Sequence, residues 1–197
     1  AADLSQKFNI KDPLAMADAL STLAYQGKSG AFELNELADL FPRLSSAAAA
    51  FGAKGTGGPK ELGAFAQIAR TATGTSEGAT TAVENVYTQL NMKADKLAKG
   101  GFGKKVNIYK DPKNKMAGTK SLTDIIPQVL TAIKADPGKI AEIFGEQGQR
   151  AVNPLATTYK NAYSATKGST KDKEGAAEPA VKAQFTELIK VQGDYSD

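Results

Sequence analysis

Regularly spaced carboxylates are the groups in this sequence whose types could do chemistry, because two carboxylates facing each other across a groove can cleave a glycan. Glu33, Glu36 and Asp39 follow one another at intervals of three residues on a predicted helix. This spacing places all three on one helical face, where charged side chains are usually solvated. Glu146 and Arg150 stand four residues apart, the spacing of a helical ion pair. These patterns indicate charged helix surfaces, and no catalytic residue is predicted.

The chain contains no histidine and no cysteine. The commonest general base near neutral pH, the commonest metal ligand, thiolate nucleophiles and disulfides are therefore all missing. The glycines at positions 52, 55, 57 and 58 lack the preceding strand and the Gly-Lys-Ser/Thr ending of a phosphate-binding loop, so we interpret them as hinges. The sequence predicts a protein that is not an enzyme, with no metal and no cofactor.

Basic residues are concentrated in one segment, from Lys93 to Lys120. It holds nine lysines and two aspartates, a charge of +7, while the whole chain carries only +4. A nucleic-acid surface usually interleaves arginine and aromatic residues, but this segment has no arginine and only Phe102 and Tyr109. A solvated loop is the favoured interpretation, and a DNA-binding patch that includes Lys104, Lys105 and Lys110 stays open as the alternative.

Two features concern the chain as a whole. No stretch approaches the roughly 20 apolar residues that a membrane-spanning helix needs. The chain also begins at Ala1 rather than at a methionine, which predicts that it is a piece of something longer.

Apolar residues recur at helical spacing along most of the chain, so the predicted fold class is mainly α, a multi-helix domain over residues 1–165. Asp12-Pro13 opens the first strong helix, because aspartate accepts the first free N–H groups and proline suits the first helical position. Asp136-Pro137 repeats this device, and Ser121 is a further candidate cap.

Other residues predict interruptions. Pro42 lies inside the second helical pattern, where a kink or restart is expected, and that pattern continues to Gly52. Gly145 should end a short helix, and a later helix is expected over about Gln149 to Ala165.

Two later parts of the chain depart from this helical pattern. Val106 and Ile108 alternate with polar neighbours, which predicts a small two-stranded hairpin at about 104–118. Residues 166–176 are polar and are predicted to be a linker. Residues 177–197 then form an amphipathic terminal helix, which either folds back onto the domain or begins a coiled coil.

Several segments, in this order along the chain, resemble the helical domain of phage and prophage tail tape-measure proteins. The resemblance covers about residues 12–165. Its segments are Ala31–Leu44, Phe51–Gly55, Leu62–Arg70, Thr73–Thr75 and Phe144–Leu155.

The resemblance implies a structural module of a tail ruler, which sets tail length during assembly and is released when DNA is ejected. Implied partners are the tail tube protein, the distal tail or baseplate hub, a tail assembly chaperone and further copies of the same chain. The implied location is the virion tail, with the host cytoplasm during assembly. The alternatives are a non-enzymatic protein- or DNA-interaction module using residues 93–120, and a scaffold from outside phages.

The predicted hairpin and the terminal helix each present groups that their own element cannot bury, so we expect contacts with partners there. The candidate interaction residues are Lys104, Lys105, Val106, Ile108, Tyr109, Lys110, Val181, Phe185, Leu188 and Ile189.

Overall fold

The computed structural model describes residues 2–190, and this part of the chain folds into eight α-helices. The prediction of a mainly α fold is confirmed. The helices are α1 (Ala2–Phe8), α2 (Pro13–Ser29), α3 (Leu34–Phe51), α4 (Gly57–Thr73), α5 (Ser76–Ala98), α6 (Leu122–Ile133), α7 (Pro137–Ala165) and α8 (Thr170–Lys190).

The predicted caps start the helices as expected. The Asp12 carboxylate accepts a hydrogen bond from the Leu14 N–H at 3.0 Å, and Asp136 accepts one from the Lys139 N–H at 2.9 Å. The Ser121 hydroxyl begins α6 in the same way. Each cap satisfies a backbone donor that has no partner within its helix.

Helix α5 lies at the centre of the fold, packed against α3, α4 and α7. Its buried face contains Ala79, Ala82, Val83, Val86 and Leu90, none of them exposed to solvent. Small side chains of this kind let α5 approach its neighbours closely. Aromatic side chains such as Phe65, Phe144 and Phe185, all 0% exposed, fill other parts of the core.

Helix α8 folds back onto the domain and packs against α7, α6 and α4. Ala177, Val181 and Phe185 are fully buried on its inner face. The ring of Phe185 lies 5.7 Å from that of Phe65 on α4, measured between centroids. Of the two arrangements expected for the terminal helix, residues 170–190 adopt the fold-back.

Helix α8 begins earlier than the sequence predicts, so the polar connection is shorter than 166–176. Ser169 and Asp172 form a reciprocal cap: the Asp172 carboxylate accepts from the Ser169 N–H at 2.9 Å, and the Ser169 hydroxyl accepts from the Asp172 N–H at 3.3 Å. This capping box starts the helix at Thr170. The final seven residues of the predicted terminal helix, 191–197, lie outside the described residues.

The predicted hairpin at 104–118 is wrong, because residues 2–190 contain no strand. One antiparallel bridge joins Tyr109 to Thr119. Its two hydrogen bonds run from the Lys110 N–H to the Gly118 carbonyl and from the Lys120 N–H to the Ile108 carbonyl. It does not extend into a ladder on the Lys110 side, since the Gly118 N–H donates to Lys115 instead of back to Lys110. The Val106 N–H donates to the Leu97 carbonyl at the end of α5 instead of to a second strand.

Pro42 and Gly145 affect their helices differently. Helix α3 runs through Pro42 without restarting and ends at Gly52, as expected for its glycine stop. Helix α7 is broken at Gly145, where φ is 70° and ψ is 177°, and it resumes at once rather than at Gln149. Because side chains strongly disfavour this backbone conformation, glycine is the residue that permits the break.

Replacing Gly145 by alanine should lower the free energy of unfolding by about 1–3 kcal/mol, through backbone strain alone. A methyl group there would meet nothing closer than 3.8 Å, so steric overlap does not contribute. Urea unfolding measures the loss. Gly175→Ala is the matched control, since the added methyl meets nothing within 4 Å in a helix and should be neutral or stabilising. Equal stability of Gly145→Ala and wild type would show that α7 is not broken in solution.

Candidate interaction surfaces

The carboxylates singled out in the sequence lie on helix surfaces. Glu36 accepts a hydrogen bond from the Ser76 hydroxyl at 2.5 Å, which ties α3 to the start of α5. Glu33 and Asp39 are exposed. The predicted pair of Glu146 and Arg150 is confirmed, at 3.9 Å across one helical turn. Across residues 2–190, no three carboxylates converge in a way that could hold a metal ion.

The basic segment is partly neutralised by contacts within the chain. Lys96 pairs with Glu142 at 2.8 Å, Lys104 with Glu174 at 2.5 Å and Lys115 with Asp95 at 3.0 Å. The hydrogen bond that Lys104 donates to the Glu174 carboxylate raises the pKa of Lys104. The first two pairs join α5 and the loop after it to α7 and α8, and the third joins that loop back to α5.

Lys93 has a different role from the paired lysines. Its ammonium donates to the carbonyls of Glu142 and Ile143, just before the break at Gly145. Burial lowers the pKa of Lys93, although the Glu142 carboxylate opposes this effect. Carbonyls at a helix end lack partners within the helix. Lys93 therefore supplies hydrogen-bond donors to carbonyls at the end of the first half of α7.

The structure divides the predicted interaction residues into two groups. Val106, Ile108, Val181 and Phe185 are at most 1% exposed and belong to the core, so they cannot contact a partner in this conformation. The others reach the surface in whole or in part: Lys104, Lys105 and Lys110 are exposed, and Tyr109, Leu188 and Ile189 are half-buried.

Lys110 and Ile189 come together at one cleft, which we name the α6 cleft because it opens beside the start of that helix. Its volume is about 240 Å³. Phe51, Tyr87 and Leu122 contribute apolar walls. The sequence does not reveal this cleft, because the residues that line it come from distant stretches of the chain.

Glu61 lies in the floor of the α6 cleft and is only 7% exposed. Its carboxylate accepts from the Thr123 N–H at 2.6 Å and from the Thr123 hydroxyl at 2.5 Å. Burial raises the pKa of Glu61, although the hydrogen bonds from Thr123 and the Leu122 backbone act in the opposite direction. Burial, and then the charge of Glu61, also raise the pKa of Tyr87. Glu61 therefore caps α6 at a cost in desolvation.

Glu61→Gln should change how stability depends on pH. The pKa of Glu61 is higher in the folded chain than its ordinary value of 4.5. Protonation of Glu61 therefore favours the folded state, and this contribution is fully present below about pH 4.5. This contribution is lost as the pH rises through the folded value. Glutamine keeps an acceptor for Thr123 but cannot ionise. We therefore expect the stability of Glu61→Gln relative to wild type to rise as the pH increases above about 4.5, because wild type then loses this contribution.

Urea unfolding at several pH values provides this measurement. Glu61→Ala is the control for the cap itself, because it leaves the buried Thr123 N–H without its acceptor and should be less stable than Glu61→Gln by about 1–3 kcal/mol at every pH. Stability curves for wild type and Glu61→Gln that run parallel over the whole range would contradict the assignment.

Comparison with known proteins identifies the family to which this arrangement of helices belongs. A family model described as phage-related minor tail protein matches residues 1–145, about three-quarters of the chain. The chain belongs to the phage-related minor tail proteins. The family match ends at Gly145, where α7 is broken.

This minor tail protein is similar to a probable tape measure protein of Burkholderia phage BcepMu, with 33% identity over 116 residues. The aligned region covers 58% of this chain and 13% of the relative's length. No solved structure matches the minor tail protein. The resemblance to tape-measure proteins stated from the sequence is confirmed.

Membership of this family gives the chain a structural role in the phage tail. The helices described over residues 2–190 include none that is long and apolar enough to cross a membrane.

Proposed function

We propose that this minor tail protein is a module of a tape-measure protein, which sets tail length during assembly and is released on DNA ejection. The observation that carries the proposal is the 33% identity to the probable tape measure protein of phage BcepMu. The chain spans only 13% of that relative, so it would be one folded unit of a longer ruler. It acts without catalysis or cofactor.

The same proposal implies partners and locations. The tail tube protein, the distal tail or baseplate hub and a tail assembly chaperone would bind the longer chain, and several copies would lie together in the tail. Assembly would take place in the host cytoplasm before the protein enters the virion tail.

Glycines at three helix ends or breaks support a module that rearranges when it leaves the tail. Helices α3 and α4 end at Gly52 and Gly74, both with positive φ, and α7 is broken at Gly145. Glycine adopts helical and left-handed backbone conformations at similar cost. The chain can therefore straighten at these three points without straining a side chain.

The DNA-interaction alternative receives less support from the structure. Three lysines of the basic segment pair with acidic side chains and Lys93 binds carbonyls, so four of the nine lysine charges are used within the fold.

Mass spectrometry of purified particles tests the proposal. Peptides from residues 1–190 should be abundant in full virions and depleted from the same particles after ejection is triggered. The tail tube protein, retained in both, serves as the internal reference. Equal recovery of the chain before and after ejection would contradict its release, and its absence from full virions would contradict the whole proposal.

A further inference from the structure

The α6 cleft has a shape and lining suited to holding a small apolar group. Phe51, Tyr87 and Leu122 form its walls, and Ile189 of α8 lies at its edge. Its volume of about 240 Å³ is below the roughly 300–1,000 Å³ of pockets for drug-sized molecules. The cleft therefore has room for one or two side chains rather than for a cofactor.

Three lysines line the same cleft: Lys54, Lys110 and Lys120. Among the described residues none of them forms an ion pair or donates a side-chain hydrogen bond. This distinguishes them from Lys96, Lys104 and Lys115, which are paired. These three lysines therefore leave their charges available to an anionic partner, although the buried Glu61 lies in the floor of the same cleft.

An unsatisfied polar atom lies in the same cleft. Thr119 is 6% exposed, and its hydroxyl is buried without a hydrogen-bond partner in the described part of the chain. Buried hydroxyls in native proteins nearly always have partners, so an exception requires an explanation. A ligand that brings its own polar groups into the cleft supplies one.

We propose that the α6 cleft binds an acidic peptide segment of a partner protein. A large apolar side chain of that segment enters the cleft beside the rings of Phe51 and Tyr87, which pack against each other at 5.3 Å between centroids. The flanking carboxylates lie against Lys54, Lys110 and Lys120. This binding site is independent of any role in tail length.

A peptide suits these residues better than a nucleic acid does. The cleft contains lysines but no arginine, and both aromatic rings in its wall are buried rather than displayed as platforms for stacked bases. Single-stranded nucleic acids are usually bound on exposed aromatic rings in an extended basic groove. An apolar cleft lined by three lysines instead suits a peptide in which carboxylates flank one apolar side chain.

Titration of the isotope-labelled chain, followed by backbone amide shifts in NMR spectra, tests the proposal. The probe is the acetylated peptide Glu-Asp-Phe-Glu-Asp at low salt. We expect shifts at Thr119, Lys120 and Leu122. Replacing the peptide's phenylalanine by alanine should weaken binding about tenfold, and so should the double variant Lys110→Glu/Lys120→Glu, since each removes one class of contact.

The double variant Lys160→Glu/Lys167→Glu is the matched control. It makes the same change in net charge at exposed positions outside the cleft and should alter affinity by less than about twofold. Amide spectra of both variants report whether the fold is intact, a check that is needed because Lys120 is half-buried whereas the other three lysines are exposed.

Several results would overturn the proposal. They are the absence of shifts around the cleft, equal affinity for the alanine-containing peptide, or equal affinity for a peptide in which lysine replaces every acidic residue. Shifts of the same amides by a short single-stranded DNA, without shifts by the acidic peptide, would assign the lysines to nucleic acid and overturn it as well.

Discussion

Replacing Phe185 by alanine should lower the free energy of unfolding by about 3–5 kcal/mol, the range for deleting a fully buried phenylalanine side chain. Phe185 is 0% exposed, and its ring contacts that of Phe65 on α4. The substitution leaves a cavity where α8 meets the rest of the domain. Urea unfolding followed by circular dichroism measures the loss.

Met92→Ala is the control for this experiment, because Met92 is 73% exposed and the change should stay within about 0.5 kcal/mol. If Phe185→Ala were as stable as wild type, α8 would not be docked in solution, and a coiled coil would again be a candidate for the terminal helix.

A loss of about 2–5 kcal/mol is expected for Gln67→Met, which keeps the side-chain length but removes its hydrogen bonds. The Gln67 amide donates to the carbonyls of Gln26 and Phe32, both at 2.9 Å, and accepts from the Phe32 N–H at 2.8 Å. These bonds hold the connection between α2 and α3 against α4. Without them, the buried N–H and C=O of Phe32 lose their partner, while the Gln26 carbonyl keeps the hydrogen bond from the Gly30 N–H.

Hydrogen exchange of the Phe32 amide should also become faster in Gln67→Met, which separates loss of the bond from general destabilisation. Gln184→Met is the matched control: Gln184 is half-buried and accepts one bond from Thr158, so its loss should stay below about 1 kcal/mol. Unchanged Phe32 exchange in Gln67→Met would contradict the role assigned to Gln67.

The local part of the fold is predictable from sequence. Asp12, Ser121 and Asp136 act on N–H groups within three residues of themselves, so their neighbours alone determine whether they cap a helix. Gly52 and Gly145 also act locally, through their own backbone angles. The reciprocal cap of Ser169 and Asp172 carried the same kind of signal, and a Ser-x-x-Asp pattern could have located the start of α8.

The errors concern contacts between distant residues. The alternation of Val106 and Ile108 resembles a strand, but both side chains enter the helical core. The Val106 and Gly118 N–H groups donate to carbonyls outside a hairpin ladder. Val181 and Phe185 formed an apolar stripe that the sequence could assign equally to a partner or to the domain. The packing of α8 against α4 in the structure assigns both side chains to the domain.

The buried polar residues could not have been assigned from sequence. Glu61 caps a helix that begins about sixty residues later, and Gln67 binds backbone groups about forty positions earlier. A polar residue within an otherwise apolar stretch of a helix, such as Gln67 between Ala66 and Ile68, indicates that its side chain has a buried hydrogen-bond partner. The sequence does not say which one.

Tail length in particles that carry a duplicated module tests the central claim most directly. Codons for residues 1–190 would be duplicated in frame in the phage gene, and tails would be measured by electron microscopy. We expect longer tails, by about 290 Å if the added copy lies as one continuous helix and by about 40 Å if it stays compact. Infectious particles with tails of unchanged length would contradict a role for this chain in setting tail length.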